Sequence, residues 1–521
     1  MKIFPWLKMR KKTAPELPYE PPIWFGNKTN GEYFQFATKR DRQVRKLVLE
    51  KCAENANKLG MDRRHFLASA MGMTTSLWVL NYVAGCSDEN GPAQTTGGSK
   101  FCVPPEAMFD EACANEIIRG KDQFVFDVQT HWFNAADLAN YPAYTMSFGP
   151  LFAIATEDNY VRALLCNSDT TMVALTSWPG ITCTATRKIG CGLPLSNAHM
   201  IESRDKINAM SGNSQRVVSH VQILPQDPSG IEEQLRIMEE FYCMHGAAAF
   251  KLYPGFKPGF RLDDDNGQKV LQRGLELGLK LFCIHKGLPI GNFFSAETNY
   301  PDDIGPMAAK YPEAKLVIYH SAIFAGHESS ATAPPEGEYD ATSERPSGTN
   351  ALIRSVLDAG LTPGPNMNVY GETGTAYSSI MSNLQASTHF FGKLMKYLGT
   401  DNVVWGTDTL ANSVQPQSQI EAFRALEIPA DNPWGYPPLG GTSAEGKLNQ
   451  DKILGLNAAK IYGVDPAAKR CQVDLCPGTA LKQQLDEELG PRRWVFDNAV
   501  EPSYEKWLEG AEEMRKTGRP G

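Results

Sequence analysis

Four residues of this chain stand where apolar, β-rich runs end: His131 after QFVFDVQT, His285 in LFCIH, His320 in VIYH and Asp408 in VVWGTD. Imidazole and carboxylate in one set suit zinc, manganese or iron, and the same groups serve as general acids and bases. Taken singly, each has a plain structural reading: a buried histidine bonded to backbone, or an aspartate capping the next helix. Four at equivalent places on different runs point to one shared site. The chain has 9 histidines, few enough for their placement to be informative. Gln129 stands two residues before His131, Lys251 lies in AFKLYPG, and Glu372 lies in NVYGETGTAY. Glu372 reads either as a further acid of the site or as a satisfied structural carboxylate. His220 falls mid-run and His327 in a loop, and neither is expected to ligate or catalyse.

Strand side chains alternate between faces. Val125, Asp127, Gln129 and His131 should therefore share an inner, polar side, with Phe124, Phe126, Val128 and Thr130 outside. Beyond 123–131, apolar runs recur at 172–178, 216–224, 247–253, 279–285, 315–320, 367–372 and 402–408. Amphipathic segments such as 231–246, 350–360 and 418–428 lie between them. Eight strands, each followed by room for a helix, predict an α/β fold: a (β/α)8 barrel of TIM type with its chemistry at the C-terminal strand ends. A doubly wound open sheet is the alternative, disfavoured because no GxGxxG or Walker-type loop follows any strand. The loop 321–349, rich in Gly, Pro, Ser and Thr, reads as a lid or binding loop, and Tyr141, Tyr144 and Phe148 could overhang the barrel mouth.

The chain divides into an N-terminal extension (1–60), an export segment (61–86), a polar linker (87–122), the barrel (123–465) and a charged, helical C-terminal appendage (466–521). In 61–86, Arg63 and Arg64 precede Phe66, Leu67 and an uncharged run, which resembles a twin-arginine export signal read by its translocase. The alternative is the start of a buried amphipathic helix. The run is short for a membrane span. It ends in Val83-Ala84-Gly85-Cys86, similar to a lipobox, so Cys86 is a candidate for lipidation and anchoring in the periplasm. The upstream 60 residues are either a cytosolic extension or precede a later start such as Met61. The 11 cysteines suit an oxidising compartment, with Cys102/Cys113, Cys183/Cys191 and Cys471/Cys476 as near pairs. A net charge of −8 excludes a basic nucleic-acid-binding surface.

The order DxxxH, AFKLYPG, a strand-five His, a strand-six His, GTD and LGLNAAKIYGV (454–464) resembles the amidohydrolase superfamily over 123–465. It is most similar to the branch holding decarboxylases of the aminocarboxymuconate-semialdehyde and resorcylate type. The resemblance implies one divalent metal, zinc first and manganese or iron otherwise, on His131, His285 and Asp408. It makes His320 the acid/base group, with Asp408 able to accept a proton as well as ligate. Gln129 stands where the family has a second His or a Glu. An amide oxygen can ligate, but it binds more weakly and carries no charge. Binuclear relatives carboxylate a strand-four lysine, whereas in the mononuclear branch Lys251 would be structural or bind a substrate carboxylate. The implied function is hydrolysis of a small-molecule amide, ester or lactone. Decarboxylation on the same site, or a metal-poor barrel serving as a binding or complex subunit, are the alternatives. A homo-oligomer is left open.

Overall fold

The structure is a computed structural model describing residues 21–23, 25, 39–84, 96–119, 122–140, 155–180, 192–288, 294–323, 336–343, 346, 348–410, 416–474 and 476. Parallel strands covered on both faces need near-continuous apolar sequence, which RVVSHVQIL and KLVIYH supply. Strands one to seven are Phe126–His131, Met172–Leu175, Val217–Ile223, Ala249–Leu252, Leu281–His285, Lys315–Tyr319 and Val369–Glu372. They pair in chain order, all parallel. The eighth is split. Val403–Val404 pairs with strand seven, and Thr409–Leu410 pairs with strand one. One segment thus supplies both edges, and the sheet closes. Between the halves, Val128 donates to the Trp405 carbonyl (3.0 Å) and Asp408 to the Gln129 carbonyl (2.9 Å). The eight expected strands are present as a (β/α)8 barrel, and closure excludes the doubly wound sheet.

Alternate residues of the strands form the barrel interior: Phe126, Val128, Met172, Ala174, Val218, Ala249, Cys283, Val317, Tyr319 and Val404 pack in one cluster. Ala458 and Ile461, from the helix Asn457–Tyr462, join that cluster and close the floor. The intervening positions, such as Val221, Phe250, Phe282, Leu316 and Ile318, face the surrounding helices.

Strand one departs from strict alternation, and the expected faces must be corrected. Phe126 and Val128 face the interior, while Asp127 turns away to accept hydrogen bonds from Thr407 and Gln129. The pairing with strand two shifts register between Asp127 and Thr130. A bulge re-aims the side chains after it. Gln129 and His131 consequently point into the mouth, and Thr130 points out to the Tyr160 hydroxyl (2.9 Å).

The region before the barrel is helical and packed. Helix Lys39–Leu59 is followed by Arg63–Ala68, whose first turn is capped by Asp62 accepting from Arg64 N–H (2.9 Å) and His65 N–H (3.3 Å). Helix Ala70–Ala84 then buries Met73 and Leu77 completely. The Asn81 side-chain amide ties this helix to the Phe101 backbone, donating to its carbonyl and accepting its N–H, each at 2.8 Å. Residues 100–118, within the expected linker, include a short strand, Lys100–Phe101, pairing with Leu426–Glu427, and a helix, Glu111–Ile118. Residues 63–84 are therefore a mostly buried helical segment, with Arg63 exposed at its start and Tyr82 near its end. Among the described residues, no helix is long and apolar enough to cross a membrane.

The cysteine pairing differs from the spacing-based expectation. Cys476 is bonded to Cys166, 310 residues earlier, and Cys102, Cys113 and Cys471 are free thiols. The Cys102 thiol instead donates to the Glu427 carboxylate (2.8 Å). Proximity in sequence could not report a partner brought in by the barrel. Cys86, Cys183, Cys191, His327, Tyr141, Tyr144, Phe148 and the appendage after Cys476 lie outside the described residues.

Leu77→Ala would leave a cavity inside the N-terminal helical layer. It should lower unfolding free energy by about 2–5 kcal/mol in chemical denaturation. An unchanged midpoint would show that Ala70–Ala84 does not pack as described.

Candidate active site

His131, His285 and His320 stand at the mouth because each ends or immediately follows a strand, and Asp408 lies in the break of the eighth. Asp408 has φ 58°, a left-handed conformation that aspartate tolerates better than most residues. Its Oδ1 lies 2.9 Å from His131 Nε2 and accepts the Gln129 amide at 2.7 Å, while Thr375 donates its hydroxyl to Oδ2. On the far side of the His131 ring, Thr176 offers both its carbonyl and its hydroxyl to Nδ1, each at 2.9 Å. That second partner sets whether Nε2 donates to Asp408 or presents a lone pair to a cation.

His285 is packed between Tyr253, Phe294 and His320, with ring centroids 5.3, 5.1 and 4.8 Å away. Among the described residues, neither of its ring nitrogens has a hydrogen-bond partner. Asn299 stands beside the ring without reaching normal hydrogen-bond geometry. Burial, then the neighbouring His320 and Lys251, hold the imidazole far below its ordinary titration range. It is a neutral base with lone-pair capacity to spare. His320 Nε2 lies 3.4 Å from the Gln129 amide nitrogen, and its Nδ1 is unpartnered. Burial lowers its pKa to about 4 against the opposing pull of Asp408, so at neutral pH it can accept a proton.

Lys251 projects from strand four into the same space, fully buried, its ammonium nitrogen 3.2 Å from the Tyr319 ring centroid and 4.6 Å from that of Tyr253. The aromatic faces partly replace water for a cation, but burial still lowers the amine to about 7. Among the described residues, no side-chain or backbone acceptor takes its protons. Gln129 Oε1, both His285 nitrogens, His320 Nδ1 and Lys251 Nζ are thus buried polar atoms in one region without partners among the described residues. Each unmade bond costs on the order of 1–3 kcal/mol, a cost a bound group would offset.

This donor set suits a divalent cation in chemistry: two imidazoles, a carboxylate and an amide oxygen. His131, His285 and Asp408 are the residues that would hold it. As they stand, no three His, Cys, Asp or Glu side chains among the described residues are gathered tightly enough to close on an ion. The amide group of Gln129 holds Asp408 instead, donating the hydrogen bond that the family's His or Glu would not supply in this form.

His220 belongs to the floor, bonded to the Tyr462 hydroxyl (2.8 Å) on the closing helix. The sequence did not point to Thr176 or Thr375, the partners of His131 and Asp408. Hydroxyls near strand ends are too common to stand out. Asp127 was noticed as a polar neighbour, yet its role is internal bracing rather than contact with the site.

A family model described as amidohydrolase matches residues 203–464, half of the chain. The chain belongs to the amidohydrolase family and is an enzyme of the hydrolase or lyase kind. Strands one and two, with Gln129 and His131, precede the matched stretch. No curated protein matches the chain. Among solved structures, an uncharacterised TIM-barrel protein of Bordetella bronchiseptica is similar at 13% identity and TM-score 0.42, over 65% of this chain and 98% of that one. The 4-oxalomesaconate hydratase of Rhodopseudomonas palustris is similar at 13% identity and TM-score 0.38, over 70% and 100%. A D-hydantoinase from a Bacillus species is similar at 14% identity and TM-score 0.29, over 65% and 70%.

The depressed pKa values carry a linkage. His320 titrates near 4 in the fold against an ordinary 6.5, and His285 and His220 are also lowered, so the unfolded chain binds protons first as pH falls. The His320 contribution to stability is complete above pH 6.5 and is lost on descending toward about 4, and those of His285 and His220 are lost in the same direction. Histidine-resolved NMR between pH 8 and 5 should show these three rings neutral throughout. A midpoint near 6.5 for any of them would contradict the burial described.

Proposed function

We propose that the protein is a metal-dependent hydrolase acting on a small-molecule amide, ester or lactone. The observation that carries this reading is His285: a buried, neutral imidazole with both nitrogens unpartnered among the described residues, beside His320 in the site that also holds the His131–Asp408 pair. A divalent ion, zinc first among candidates, would supply Lewis acidity to a substrate carbonyl and acidity to a water. The chain's own groups do the rest. His320, neutral at pH 7, takes a proton from the attacking water and returns one to the leaving group. Asp408 serves as a second proton acceptor while the Thr375 hydroxyl holds its other oxygen. Thr176 fixes the His131 ring. Tyr253 and Phe294 shield His285 from water.

Lys251 supports a refinement. A partnerless amine at the base of the mouth would pair with a substrate carboxylate, which would also raise its own affinity for a proton. An acidic substrate is common to this hydrolase reading and to non-oxidative decarboxylation on the same residues, which the Lys251 geometry favours as the second reading. Export through the twin-arginine translocase into the periplasm, with Cys86 as a lipidation site, is supported by Arg63-Arg64 and the uncharged run after them.

Metal analysis of protein purified without chelators, with turnover measured on a panel of small amides, esters and lactones, tests the reading. His285→Ala should lose the metal. His320→Ala should keep it and lose turnover by at least about 100-fold. Wild-type protein without stoichiometric divalent metal would sink the proposal and favour a binding subunit, a role for which the Gln129–Asp408 hydrogen bond would be the structural reason.

A further inference from the structure

Glu372 ends strand seven, fully buried, and has no task in the chemistry above. We propose that Glu372 is the positioning residue for His320, its carboxyl group holding the turn at 320–322 that aims the imidazole into the site. The proposal rests on the reading of His320 as the acid/base group.

Three consecutive non-glycine residues, His320, Ser321 and Ala322, have φ values of 59°, 47° and 55°. L-residues enter this region singly rather than in runs, so a run of three must be held by its surroundings. Glu372 supplies the hold at two points. One carboxyl oxygen accepts the His320 N–H at 2.7 Å, and the Glu372 main-chain carbonyl accepts the Ser321 hydroxyl at 2.8 Å. The other carboxyl oxygen accepts the Gly374 N–H at 2.6 Å, which fixes the side chain's own direction. A general packing role would not explain why the acceptor is spent on the backbone of the acid/base residue itself.

Glycines around this carboxyl group fit the same account. A Cβ on Gly374 would lie 2.6 Å from His320 Nδ1 and 2.7 Å from Glu372 Oε2. A Cβ on Gly406 would collide with Glu372 Oε1, and one on Gly287 would collide with the Ala322 backbone. Glycines following strands five and seven, and one inside the split eighth strand, therefore clear room for one carboxyl group, one imidazole and the turn between them. The glycine of the GTD motif is explained by Glu372 rather than by Asp408.

Glu372→Gln in the full chain tests this, because the amide can accept from one N–H but opposes the other with its own NH2 group. A crystal structure and 15N NMR of the histidine rings are the readouts. The expected result is that residues 320–322 leave the left-handed region and His320 ring signals shift, while those of His131 and His285 stay in place. An unchanged turn with unchanged His320 signals would overturn the proposal, and so would a joint shift of all three histidines. Should this variant fail to fold, Gly406→Ala displaces the carboxyl group without removing it. The same His320-specific shift then supports the proposal, and its absence overturns it. Retained turnover in His320→Ala would refute the acid/base reading alone, leaving the positional result standing.

Discussion

A single buried carboxylate, Asp127, joins the two irregularities on which the site depends. It accepts from the Gln129 N–H (3.2 Å) inside the bulge of strand one and from the Thr407 N–H (3.0 Å) and hydroxyl inside the break of strand eight. Without the bulge, Gln129 and His131 would not face the mouth. Without the break, Asp408 would continue a regular strand and point elsewhere. Burial raises the Asp127 carboxyl to about 7, against the pull of those three hydrogen bonds. The barrel seam is thus closed by backbone pairing above and below, and by one polar bracket between.

The groups at the mouth that results are buried, and burial governs their chemistry. Desolvation is the largest influence on His285, His320 and Lys251, moving each toward its neutral form. Neutral nitrogen bases with unpartnered lone pairs are what a Lewis-acidic ion or a proton in transit requires. The same low dielectric makes leaving those atoms unsatisfied costly, a cost that a bound group would offset. The closed floor, with His220 bonded to Tyr462, keeps this region separate from solvent at the other barrel end.

The N-terminal layer shows how far local pattern and tertiary role can diverge. An uncharged run rich in Ala, Gly, Thr and Met has the composition of an export segment, yet the same residues supply a helix whose small side chains allow close packing. Gly72 sits where any Cβ would strike the backbone of Phe66 and Leu67, and the Thr74 hydroxyl donates to the Ala107 carbonyl (2.7 Å). The resemblance and the packing both follow from small, uncharged residues, which let one helix lie close against another.

The sequence by itself determined the barrel and the identity of the polar residues at its strand ends. The eight apolar runs, each long enough to be covered on both faces, leave few other ways to bury them. His131, His285, His320 and Asp408 were legible because polar groups at the ends of apolar strands break a local pattern. Tertiary structure alone decided which way they point. The strand-one bulge, the split eighth strand, the left-handed turn after strand six and the Cys166–Cys476 pairing each depend on partners distant in sequence. Periodicity reports burial along one strand, whereas aim is set by hydrogen bonds between strands. Gln129 illustrates the division: its type was visible as a departure, but only the fold shows its amide spent on Asp408.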